Sequence, residues 1–138
     1  MTTDTSSPST GTTGENRVLI VEDEAISRLL LELTLSDAGL DVRSASTREQ
    51  ALSLAREFQP SLLVTDISLA DGCGMELVRE IRSFLDVRAV ALTGRERDEM
   101  TPDGSADGFD GWLTKPADME QVCDLALKLL KTPNKRRN

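Results

Sequence analysis

The chain has 138 residues, 38% apolar and 29% charged, a balance that suits one soluble globular domain with a sizeable core. A formal net charge of −8 argues against a nucleic-acid partner, because phosphate backbones demand a basic face. Histidine is absent, which removes the usual general base, the commonest metal ligand and every Ser-His or Cys-His nucleophile.

Residues 1–16 are Thr, Ser, Gly, Pro and Asp with almost nothing apolar, so they are expected to be a disordered N-terminal segment. The first strand is Arg17-Val18-Leu19-Ile20-Val21, an unbroken apolar run of the kind buried on both sheet faces. Glu22-Asp23-Glu24 comes next, then a helix from about Glu24 to Ala38, stopped by Gly39. Helical spacing puts Ile26, Leu29, Leu30 and Leu33 on one face, which is expected to pack on the sheet. Leu31 and Leu35 then project to the other side, either as scattered surface leucines or as part of a docking patch.

Asp41 to Ala45 reads as a second strand, and Thr47 to Phe58 as a helix capped by Ser46 or Thr47 and ended by Pro60. The third strand, Leu62 to Thr65, leads to Asp66, and the Asp-Gly-Cys-Gly of 71–74 is a loop signal. A helix from Met75 to Phe84 faces Leu77, Val78 and Ile81 inward, and Val87 to Leu92 is a fourth strand ending on Thr93-Gly94. A short helix is expected from Arg95 to Met100, with Pro102, Gly104 and Gly108 breaking up the stretch beyond it. Phe109 to Leu113 is a fifth strand, ending in Thr114-Lys115-Pro116, where the proline points to a specific turn. A last helix runs from Ala117 to Lys131 with Met119, Val122, Ala126 and Leu129 on one face, and 132–138 is a basic, flexible tail. Cys73 and Cys123 lie far apart without metal spacing and read as reduced thiols. No apolar run is long enough to span a bilayer and no signal peptide is evident, so the expected setting is cytoplasmic.

Strands alternating with helices predict an α/β domain over 17–131, one doubly wound parallel sheet with helices on both faces. In such a sheet the carboxyl ends of the strands share one edge, which gathers Glu22, Asp23, Asp66, Thr93 and Lys115. Three carboxylates brought together repel unless a cation joins them, and a hard divalent ion such as Mg2+ is the natural partner. Asp66 is then a candidate nucleophile, Lys115 a point charge for a phosphoryl oxygen, and Thr93 a hydroxyl donor.

Four stretches, Val-Leu-Ile-Val-Glu-Asp-Glu (18–24), Leu-Leu-Val-Thr-Asp-Ile-Ser-Leu (62–69), Ala-Leu-Thr-Gly (91–94) and Gly-Trp-Leu-Thr-Lys-Pro (111–116), together resemble the receiver domain of two-component response regulators. The resemblance implies a flavodoxin-like five-stranded sheet in the order 2-1-3-4-5 and a stand-alone, chemotaxis-receiver-like switch rather than an enzyme. It implies that Asp66 is the phosphoacceptor, with Asp23, Asp66 and the Ser68 backbone carbonyl ligating Mg2+ and Glu22 acting mostly through water. Thr93 and Lys115 would hold the phosphoryl oxygens. Trp112 stands where the family has its Tyr or Phe switch residue, and Ser68 and Arg95 stand where side chains tune phosphate lifetime. The donor would be the phosphohistidine of a histidine kinase or phosphotransfer domain, which this histidine-free chain cannot supply itself. Such donors dock against the first helix, which gives Leu31 and Leu35 an expected purpose; the downstream protein target stays unknown.

The chain departs from the family in the loop Leu69-Ala70-Asp71-Gly72-Cys73-Gly74, which lacks a common proline, at the broken 95–108 region, and at the bulk of Trp112. Two other readings compete. One is a non-phosphorylated, receiver-like adaptor. The other is an Asp-nucleophile phosphohydrolase, which usually carries a second acid where Ser68 stands.

Overall fold

The structure is a computed structural model and describes residues 16–94 and 108–131. The expected helix at 95–100, Arg95, the tail at 132–138 and all but Asn16 of the N-terminal segment lie outside the described residues.

Five strands form one parallel sheet: β1 (Arg17–Val21), β2 (Asp41–Ala45), β3 (Leu62–Asp66), β4 (Arg88–Thr93) and β5 (Gly111–Thr114). Their spatial order is β2-β1-β3-β4-β5, as the resemblance implied. Four helices are described: α1 (Ala25–Asp37), α2 (Arg48–Phe58), α3 (Gly74–Arg82) and α4 (Met119–Lys131). A two-residue antiparallel ladder, Ser68–Leu69 against Gly72–Cys73, shapes the loop after β3, where only an irregular loop was expected.

Strand side chains alternate between faces, so each central strand feeds two cores. Leu19, Val21, Leu63 and Ala89 meet Ala51 and Ala55 of α2 and Leu77 and Ile81 of α3. Val18, Ile20, Leu62 and Val64 meet Leu31 and Leu35 of α1 and Val122 and Ala126 of α4. Burial on both faces is why β1 and β3 read as continuous apolar runs. Inward residues of α3 and α4 are as the sequence predicts, with Met119 and Leu129 half-buried beside Val122 and Ala126.

The face predicted for α1 is wrong. Leu31 and Leu35 are 2% and 0% exposed, while Ile26, Leu29, Leu30 and Leu33 are 70%, 52%, 47% and 58% exposed. Both stripes have helical spacing, so periodicity could not choose between them. The choice comes from how the helix is moored. Arg28 reaches back to donate from Nη1 to the Glu22 carbonyl at 2.9 Å, and the Glu24 amide donates to Glu22 Oε2 at 3.1 Å. At the other end Gly39, at φ +94°, turns the chain so that the Leu40 amide donates to the Leu35 carbonyl. These moorings turn the Arg28, Leu31 and Leu35 side inward.

Both cysteines are free thiols. Among the described residues no helix is long and apolar enough to cross a membrane.

Candidate functional site

The site is built from the ends of the strands. Parallel ladders continue one residue past each strand: the Glu22 amide donates to Ala45 O, the Ile67 amide to Leu92 O at 3.2 Å, and the Lys115 amide to Thr93 O at 2.6 Å. This lateral stitching holds the first residues beyond β1, β3 and β5 in a row. The carboxylates of Glu22, Asp23 and Asp66 each bring an oxygen to within 4.8 Å of the other two. Glu22 is buried (1% exposed), Asp66 is nearly so (9%), and Asp23 is exposed. A buried carboxylate is costly unless paired. The Lys115 ammonium meets that need, donating to Glu22 Oε1 and to Asp66 Oδ2 at 2.8 Å each. Burial by itself lowers the Lys115 pKa, but the hydrogen bonds and charges of Asp66 and Glu22 together outweigh it and raise the value above an ordinary lysine's.

Asp66 Oδ1 accepts the Ser68 amide at 3.2 Å, which folds the start of the next loop back over the carboxylate. The Ser68 side chain is exposed. Gly74, at the start of α3, closes the loop by donating its amide to the Ile67 carbonyl at 2.7 Å. A Cβ at Gly74 would collide with the Asp66 carbonyl oxygen, so this close return requires glycine. Thr93 is buried at the end of β4 and pairs in register with Thr114. Lys115 precedes a cis peptide bond to Pro116. Glu22, Asp23, Asp66, Thr93 and Lys115 therefore lie along one sheet edge, with Ser68 in the loop beside it.

Trp112 sits one strand over. It is half-buried, its ring meets Phe109 edge-on at 5.9 Å, and its indole Nε1 is enclosed without an acceptor. Beside the carboxylates a cleft of about 410 Å³ opens between α1 and the chain after β5. Glu22, Ser27, Leu30, Leu92, Lys115 and Met119 are among its walls. It adjoins the exposed leucine stripe of α1.

Three features escaped the sequence reading. Arg28 moors the Glu22 backbone, and its only signal was being the one basic residue of the helix. The exposed stripe of α1 was assigned to the wrong side. Asp71, read only as part of a turn, accepts hydrogen bonds from the amides of Arg48 and Glu49, across 22 or more residues of chain.

Comparison with known proteins agrees with this geometry. The family model of the response regulator receiver domain matches residues 18–127, most of the chain. The chain is 38% identical over 104 residues to an uncharacterized 14.6 kDa protein of Leptolyngbya boryana, covering 73% of this chain and 79% of that one. It is 34% identical over 99 residues to the KDP operon transcriptional regulatory protein KdpE of Escherichia coli, covering 72% of this chain. It is also 34% identical over 107 residues to the virulence transcriptional regulatory protein PhoP of Salmonella typhimurium, covering 77% of this chain. The chain spans 44% and 48% of the lengths of those two regulators. Among solved structures, chemotaxis response regulator CheY4 of Vibrio cholerae superposes with a TM-score of 0.71 at 28% identity, covering 83% of this chain and 97% of that one. A two-component response regulator from Clostridium difficile shares the fold, with a TM-score of 0.78 at 23% identity over 87% of this chain and 99% of that one.

A parallel sheet with an acidic cluster and a lysine at its carboxyl edge defines a doubly wound domain with a charged site at the strand ends. The chain belongs to the response regulator receiver family and is a receiver domain of two-component signalling.

Proposed function

We propose that the domain is a phosphorylation-controlled switch in which Asp66 takes a phosphoryl group from a phosphohistidine. The observation that carries this reading is the convergence of Asp66, Glu22 and Lys115, held by two 2.8 Å bonds, with Asp23 alongside. A carboxylate oxygen of Asp66 attacks phosphorus, the P–N bond breaks, and the neutral imidazole leaves with a proton from solvent. The product is an aspartyl phosphate.

Glu22, Asp23 and Asp66 are all oxygen donors within 4.8 Å, a set that fits a hard divalent cation. Asp23, Asp66 and the Ser68 carbonyl would hold Mg2+ directly, and Glu22 through water. When bound, the ion neutralises charge on the phosphoryl oxygens. Lys115 is already anchored beside Asp66 and supplies a second positive charge to those oxygens. Thr93, at the end of the neighbouring strand, moves its hydroxyl toward the phosphoryl group, and Trp112 turns inward with it as the switch residue. Ser68 and Arg95 tune the lifetime of the phosphoryl group.

The donor is a histidine kinase or a histidine phosphotransfer domain, and the output is binding to a protein target in the cytoplasm. Leu31 and Leu35 are core residues and cannot serve in docking. The exposed Ile26, Leu29, Leu30 and Leu33 take that role instead, with Leu30 lining the cleft beside Glu22 and Lys115.

The direct test is intact mass after incubation with magnesium and acetyl phosphate, alongside Asp66→Asn. A single phosphoryl gain by the wild type, lost in the variant and without magnesium, is the expected result. Failure with acetyl phosphate and with a panel of phosphorylated donors would put the constitutive adaptor in its place. Sustained turnover of phosphoesters would point instead to a hydrolase.

A further inference from the structure

In the reading above, the loop after Asp66 would present the Ser68 carbonyl to the metal. Ala70 and Asp71 stand at the tip of the Ser68–Cys73, Leu69–Gly72 ladder. What holds the tip is a tie to a different element. Asp71 Oδ1 accepts the Arg48 amide at 2.7 Å, and Asp71 Oδ2 accepts the Glu49 amide at 3.2 Å. These are orphan donors of the first turn of α2, positions where a carboxylate is favoured by both hydrogen bonding and the helix dipole. Thr47 caps the same turn separately, its Oγ1 accepting the Gln50 amide at 3.1 Å. Thr47 thus satisfies one orphan donor of this turn and Asp71 two others, so the loop and the helix end are tied to each other.

The Arg48 side chain completes the joint. It lies across the ladder so that a Cβ at Gly72 would come within 2.6 Å of its Cδ, and its guanidinium pairs with Glu80 of α3. The tip of the loop is thus clamped between α2 and α3, while its base is fixed at Asp66 Oδ1 and at the Ile67 carbonyl.

We propose that Asp71 is a positioning residue for the phosphorylation site: by bridging the loop to the first turn of α2, it would hold the Ser68 carbonyl in position for a cation. The proposal rests on the metal-assisted phosphoryl transfer described above, and it adds a coupling between that site and α2. Because the tie is shared, binding at the site stiffens the start of α2, and loosening the tie weakens binding.

The test compares the wild type, Asp71→Ala, Asp71→Asn and Thr47→Ala. Magnesium affinity is read by calorimetry, and the Arg48 and Glu49 amides are followed by NMR and hydrogen exchange. Losing the tie is expected to weaken magnesium binding about three- to fivefold in Asp71→Ala, as for loss of an N-cap-type bond, with partial recovery in Asp71→Asn. In the wild type, magnesium shifts the Arg48 and Glu49 amides and slows their exchange; in Asp71→Ala it does neither. Thr47→Ala loosens the same helix end without touching the loop and keeps magnesium affinity within about twofold. Wild-type affinity in Asp71→Ala, or an equal loss in Thr47→Ala, overturns the proposal while leaving the phosphorylation reading intact. No magnesium binding by the wild type overturns the phosphorylation reading itself, and this proposal with it.

Discussion

Helix α1 carries two leucine stripes, and truncating one residue from each separates stability from docking. Leu35 is fully enclosed between the sheet and α4. Leu35→Ala removes about three methylene-sized groups worth about 0.8 kcal/mol each. Adding the cavity left in a packed core brings the loss to about 3–4 kcal/mol. At about 4 °C per kcal/mol for a domain of this size, Tm falls by about 12–16 °C. Leu30 is 47% exposed, so Leu30→Ala forfeits about half of that transfer term and leaves no closed cavity. Its cost is about 1 kcal/mol, partly offset by the better helix propensity of alanine. The functional order is reversed. Leu30→Ala slows transfer from a phosphorylated histidine donor by about fivefold or more, as truncation of an interface anchor does, and keeps its uptake from acetyl phosphate. Urea unfolding gives the first pair of numbers, and donor-dependent phosphorylation gives the second. Equal destabilisation by the two variants would show that α1 does not present Leu31 and Leu35 to the core, and the account of its mooring would fail.

Other outcomes rest on the same geometry. Gly74→Ala places a Cβ against the Asp66 carbonyl oxygen and 3.1 Å from Ile67 Cα. Since backbone cannot give way cheaply, urea melts should show a loss of about 1–3 kcal/mol, and an unchanged midpoint would refute the close return of the loop. The Lys115 pKa is raised, so the stability it adds is complete below the unfolded lysine value of about 10.4 and disappears as pH climbs through the higher folded value. Lys115→Met leaves Glu22 with one partner fewer and costs about 1–2 kcal/mol near neutral pH, discounted for the partial exposure of the ammonium. Its denaturation midpoint then falls less than the wild type's between about pH 10 and 12. Parallel curves for the two proteins would mean that the lysine is not engaged. Asp66→Asn, checked by intact mass, accepts no phosphoryl group.

Much of this protein is legible in its sequence because the signals are short-range. Doubly buried strands must be apolar along their whole length, so Val18 to Val21 and Leu62 to Val64 announce themselves. A parallel sheet must place the residues that succeed its strands on one edge, so Glu22, Asp23, Asp66, Thr93 and Lys115 can be gathered before any coordinates are known. Periodicity also suffices where a helix has a single apolar stripe, as in α3. It fails where a helix has two. The sequence of α1 is equally helical with either stripe inward, and only the Arg28 and Glu24 bonds to Glu22, together with the turn at Gly39, decide which leucines the sheet receives. Contacts across long stretches of chain are hidden for the same reason. Nothing near Asp71 shows that its partners are the amides of Arg48 and Glu49, because those donors exist only once α2 has formed and only the tertiary fold sets its first turn against the loop.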